Sequence, residues 1–179
     1  MNPQDVLHFW FDETTPERHF KNDAAFDAEI RARFGETHQA AAQGELAAWR
    51  DTPEGRLAEI IVLDQFSRNL FRDDARAFAT DGMALVLAQE AIRAGADQAI
   101  PETRLAFLYM PFMHSESRMI HAEAERLFRH SGLEDNYKFE LKHKAIIDRF
   151  GRYPHRNRVL GRPSTPEELA FLDQPGSSF

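Results

Sequence analysis

From Arg149 to Arg162 the chain carries five arginines and His155 without a single acidic residue. The whole chain of 179 residues has a formal net charge of -7, so this run opposes the global sign. A guanidinium presents a planar fork of donors that matches a carboxylate or a phosphate. Arg152, His155, Arg156 and Asn157 are therefore candidate contacts for an anion. The competing reading is a solvated loop whose arginines pair with surface Asp and Glu.

Two further stretches place polar groups where apolar ones are expected. Asp64, Arg68 and Arg72 fall at spacing four and extend the apolar stripe begun by Leu57, Ile60 and Ile61. They read either as a ladder of ion pairs, weak when exposed, or as charge placed deliberately at a half-buried end, where an unpaired group is costly. In Tyr109–Glu116, Pro111 should end or kink an apolar helix and deliver His114 and Glu116 to a junction. A histidine beside a carboxylate suits general acid–base work; the plainer reading is that Ser115 or Ser117 caps the next helix. His143 lies among Phe139, Ile146, Ile147 and Phe150, the setting of a satisfied core histidine. A two-histidine, one-carboxylate metal set would have to be assembled from His114, His143 and His155, which are distant in sequence. No metal or other cofactor is expected. The chain holds no P-loop, no Gly-x-Gly-x-x-Gly, no His-Glu-x-x-His and no Gly-x-Ser-x-Gly. Cysteine is absent, which removes disulfides, thiolate chemistry and cysteine metal sites.

The elements that must position these groups are helical. Thr-Pro-Glu occurs at 15–17, 52–54 and 165–167. Thr suits the cap, Pro the first helical position, and Glu the positive end of the helix dipole. Apolar residues recur every three to four positions over about 3–11, 23–43, from 53, 81–94, from 101, 116–130, 134–150 and 166–172. Strand-like alternation is nearly missing. The expectation is an all-α chain of about seven or eight helices in antiparallel pairs, forming one domain over 1–179. The acidic balance argues against nonspecific nucleic-acid binding. No apolar run approaches the roughly 20 residues that span a membrane, and the first residues do not resemble a secretory signal. A cytoplasmic location is expected.

Five strings carry a resemblance together: Val6–Phe11, Leu63–Arg72 (Leu-Asp-Gln-Phe-Ser-Arg-Asn-Leu-Phe-Arg), Ala77–Asp81, Phe107–Glu116 and Phe150–Asn157. In this order they resemble the bacterial family known as domain of unknown function 924, over nearly the whole chain. One departure is Ile120-His121, where a Gln is expected shortly after His-Ser-Glu. The resemblance implies a tetratricopeptide-like array of helix pairs and no established activity. Its strings coincide with the polar interruptions above, so Asp64, Arg68, Asn69, Arg72, His114, Glu116, Arg152, His155 and Arg156 are expected to line one pocket. Three functions follow. The first is a binding module for a small anionic molecule or the carboxylate end of a peptide. The second is a hydrolase-type enzyme with Glu116 or His114 as general base. The third is a scaffold whose polar strings are ion-pair networks. Oligomeric state cannot be read from the sequence.

Overall fold

Four helix starts among the described residues are set by short polar side chains that satisfy the first free N–H groups. Asn2 accepts from the Asp5 amide while Asp5 returns a bond to the Asn2 amide, and Pro3 opens the helix. Thr165 and Glu168 make the same reciprocal pair, with Pro166 at the first turn. Asp23 caps through the amides of Ala25 and Phe26, and Thr52 through that of Gly55. The computed structural model describes residues 1–130 and 132–178. Among these the protein is all-helical, with no strand.

The described residues form eleven α-helical segments: α1 (Pro3–His8), α2 (Pro16–His19), α3 (Ala24–Ala42), α4 (Pro53–Ile61), α5 (Ser67–Leu70), α6 (Asp81–Arg93), α7 (Ala96–Ala99), α8 (Leu105–Met113), α9 (Arg118–Phe128), α10 (Glu134–Phe150) and α11 (Pro166–Leu172). All eight expected stretches contain one. The excess over seven or eight has two causes. α2, α5 and α7 are single turns of four residues, too short to show periodicity. In addition, a wide π turn at Val62–Phe66 separates α4 from α5 within one continuous run. A second π turn, Phe9–Glu13, follows α1. α8 continues through Pro111 and stops two residues later. Ser117 occupies the cap position of α9 but makes no side-chain capping bond; Ser115 Oγ instead accepts from the Ser117 amide.

Contacts cluster into two compact units. The first holds residues 1–72 and 76–111. Its centre is aromatic: Phe9 lies 4.8 Å from Phe34, Phe34 4.9 Å from Phe66, and Trp10 5.5 Å from Phe66 and 5.6 Å from Phe107, between ring centroids. α3 runs antiparallel to the stretch carrying α5, since Asp27 meets Arg72, Arg31 meets Leu70 and Phe34 meets Phe66. The second unit holds residues 73–75 and 112–179. Here α9 and α10 pair antiparallel, with Arg129 at Tyr137, His121 at Glu140 and Arg118 at Ile147. Ile146, Ile147 and Tyr153 form its buried cluster, with Phe150 and Phe171 packed against them. α10 ends at Gly151, whose φ of 70° is left-handed and whose amide donates to Ile147. No helix among the described residues is long and apolar enough to cross a membrane.

Gly55 marks the tightest approach in the first unit. A Cβ there would lie 1.9 Å from the Trp49 carbonyl oxygen, a backbone atom that cannot swing aside. Gly55→Ala is expected to destabilise the protein by about 1–3 kcal/mol through overpacking. Urea unfolding checks this; a variant as stable as the wild type would show that the Ala47–Asp51 turn yields freely.

Candidate functional site

In the second unit the polar strings meet where α8 stops. A helix end leaves carbonyls without partners, and here three successive carbonyls are taken by side chains from elsewhere in the unit. Tyr153 Oη donates to the Met113 carbonyl at 2.6 Å. Arg156 donates to that of His114 at 3.0 Å. His121 Nε2 lies 2.8 Å from that of Ser115. The next residue, Glu116, receives Arg162 on both carboxylate oxygens at 2.6 and 2.9 Å, and the Tyr153 amide at 2.7 Å. Burial alone would raise the pKa of Glu116, but the bonds from Arg162 and the Tyr153 amide outweigh it and hold the carboxyl below its ordinary range.

From Arg162 the network continues without a break. Its Nε donates to Asn157 Oδ1 at 2.9 Å, and Asn157 Nδ2 donates to Glu168 at 3.3 Å and to Ser164 at 3.0 Å. Glu168, only 2% exposed, is gripped by Arg152 through two bonds of 2.6 and 2.8 Å and also caps α11 through the Thr165 amide. Arg152 additionally donates to the Pro163 carbonyl. Asn157, Arg152 and Glu168 therefore join the loop after α10 to the start of α11. His155 packs its ring 5.5 Å from that of Tyr153. His114 contributes its carbonyl to the cluster. The outward members of the arginine run are Arg149, paired with exposed Glu167, and Arg158, 3.3 Å from exposed Asp73.

In the first unit the other predicted residues form their own clamps. Asp27 on α3 receives Asn69 at 2.8 Å and both arms of Arg72 at 2.7 and 2.8 Å. Burial pushes its pKa up, the bonds from Arg72 and Asn69 push harder the other way, and the net shift is downward. Arg68 reaches Asp81 with two bonds of 2.7 and 3.0 Å and the Asp64 carbonyl at 2.7 Å. The Asp64 carboxylate, fully buried, accepts from Gln65 at 2.6 Å. Beside it, Ser67 and Thr80 both donate to the Leu63 carbonyl, inside the π turn, and His38 closes the group on Ser67 at 2.7 Å. The geometry thus joins Asn69 to Arg72 through Asp27 and links Arg68 to Asp64. In the other unit it joins Glu116, Arg152, Arg156 and Asn157 around the end of α8 and the start of α11. Among the described residues, no group of three His, Asp or Glu side chains is arranged as a metal set. His143 donates to the Phe139 carbonyl within α10, and burial pushes its pKa down to about 3.

Sequence reasoning missed the acidic partners Asp27 and Glu168 and the pair His121–Glu140. It also missed the part played by Arg162. Asp81 ended one of the resemblance strings; no local signal pointed to Asp27 or Glu140.

The model of a family of bacterial proteins of unknown function, DUF924, matches residues 6–176. The chain belongs to that family. Among solved structures it is similar to a protein of unknown function from Agrobacterium tumefaciens, with 42% identity, 96% of each chain covered and a TM-score of 0.90. No curated protein matches it.

Arg152 holds the Glu168 carboxyl at about pKa 2, well below the reference value of 4.5, with burial opposing and the Thr165 amide assisting. A carboxyl depressed in the folded state contributes stability above its unfolded pKa and loses it as pH falls toward the folded value. The pair's contribution should therefore fade between about pH 4.5 and 2. Glu168→Gln should lack this share of the acid transition, and Arg152→Gln should lower stability at neutral pH by leaving the Glu168 carboxylate without its counter-charge. Acid and urea titrations measure both. Coincident acid transitions in wild type and Glu168→Gln would remove Glu168 from this role.

Proposed function

We propose that the chain is a non-catalytic helical scaffold whose polar strings are internal clamps. One observation carries the reading. The carbonyls of Met113, His114 and Ser115 and the carboxylate of Glu116 are all engaged by Tyr153, Arg156, His121 and Arg162 from the same unit. An anion receptor needs guanidinium forks turned toward an open cavity. Here the forks of Arg68, Arg72, Arg152 and Arg162 each grip a carboxylate of the protein itself. A general base needs a carboxylate that accepts a proton readily near neutral pH. Glu116 is shifted the other way and has both oxygens occupied.

The scaffold and anion readings separate in one thermal-shift experiment. Arg162→Gln should lower the melting temperature by roughly 6–12 °C, from about 3 kcal/mol at 2–4 °C per kcal/mol. Millimolar phosphate or citrate should raise that of the wild type no more than chloride at matched ionic strength. A dianion-specific rise in the wild type that Arg152→Gln abolishes, in a variant that still folds, would return the anion reading to first place. Catalytic turnover lost in Glu116→Gln would do the same for the enzyme.

A further inference from the structure

Helices α9 and α10 bury a base and an acid against each other. His121 and Glu140 are both 0% exposed. Nδ1 of His121 lies 2.7 Å from Glu140 Oε1. Its other nitrogen, Nε2, lies 2.8 Å from the Ser115 carbonyl and 3.1 Å from Tyr153 Oη. A carbonyl only accepts, and the single hydroxyl proton of Tyr153 is directed at the Met113 carbonyl 2.6 Å away. Nε2 therefore carries a hydrogen. Between Nδ1 and Oε1 there is room for one more proton, held as imidazolium with carboxylate or as imidazole with carboxylic acid. Both forms are neutral overall and contain the same number of protons.

Taking that proton away leaves no comfortable arrangement. If Nε2 keeps its hydrogen, the lone pairs of Nδ1 and Oε1 face each other. If the hydrogen moves to Nδ1, a bare Nε2 faces the Ser115 carbonyl. In either case a net negative charge remains in the interior, where it is expensive. Among the described residues no further hydrogen-bond donor meets it, since Glu140 Oε2 is buried without a hydrogen-bond partner.

We propose that His121 and Glu140 form a pH-sensitive latch, in which one shared proton holds α9, α10 and the Ser115 carbonyl together and its loss at alkaline pH releases them. The charged and titratable surroundings suit a closed pair. Glu125 on α9 and Lys144 on α10 influence Glu140 from outside, and each is ion-paired, with Arg129 and Asp148 respectively. His143 on α10 packs against Tyr153 and is held neutral by burial. His114, ahead of α9, and His155, after α10, lie near enough to affect His143. Arg156 covers the Tyr153 ring at 4.6 Å, and Glu116 is paired with Arg162. Burial moves the Glu140 carboxyl above its ordinary range, with the bond to His121 opposing it, so Glu140 binds protons more tightly folded than unfolded.

Glu140→Gln isolates the proton. The Gln amide can donate to Nδ1 of a neutral imidazole while Nε2 keeps its bond to Ser115, so the variant has no proton to lose. In the wild type the folded state retains a proton that the unfolded chain releases as its histidine passes about pH 6.5. Stability then falls as pH rises, and at full difference the unfolding constant grows tenfold per pH unit. The ratio of wild-type to variant unfolding constants, from urea titrations, should rise at least tenfold between pH 6 and 8.5. A flat ratio overturns the latch. Should the variant not fold, nitrogen NMR of the wild-type imidazoles decides: the His121 signals should hold their positions from pH 6 to 8.5, with a proton attached to Nε2. A His121 signal that moves over this range as an imidazolium losing its proton overturns the proposal.

Discussion

A helix that stops inside a protein must have its last carbonyls answered, and the second unit is organised around that requirement. Where α8 ends, the chain turns through half-buried residues before α9 begins, so the carbonyls of Met113, His114 and Ser115 have no helical successors to bond. A phenol, a guanidinium and an imidazole fill the vacancy. Each donor comes with its own demand. Tyr153 needs its backbone placed, which Glu116 does through the Tyr153 amide; Glu116 needs a counter-charge, which Arg162 provides. In the second unit Glu116, Arg156 and Arg162 are thus linked, directly or in succession, to one helix end.

The arginine run illustrates how burial ranks interactions of the same type. Arg149 with Glu167 and Arg158 with Asp73 are exposed pairs, of a kind worth about 0.2–1 kcal/mol and screened by salt. Arg152 with Glu168 has a carboxylate almost wholly withdrawn from water and two parallel bonds, so each partner depends on the other. A count of positive charges along 149–162 treats all these residues alike. Their partners divide them into a solvated set and a structural set.

The helices were legible because their boundaries are written locally. Thr165, Pro166 and Glu168 state a helix start within four residues, and Gly151 states a stop. α5, α7 and the two π turns were not legible, because a single turn leaves no period to count; α2 was announced only by its start, Thr15-Pro16-Glu17. The polar strings were legible as unusual but not as partners. Asp27 precedes Arg72 by 45 residues and Glu116 precedes Arg162 by 46, and no rule of spacing reaches that far. His121 and Glu140 were hidden for another reason: each sits on an ordinary amphipathic helix, and only the antiparallel pairing of α9 and α10 brings them face to face.

The π turns have a consequence for the lineage of this fold. A π turn is an α-helix with one residue too many. Because the wide turn absorbs that residue, Ser67, Arg68 and Asn69 keep the faces that meet Thr80, Asp81 and Asp27, whereas one further residue inserted into the regular turns of α4 would swing them by about 100° around the axis. Substitutions in that stretch alter single contacts, whereas a change of length by one alters all of them at once. In this part of the chain it is the spacing of residues, more than their identity, that a descendant sequence is least free to vary.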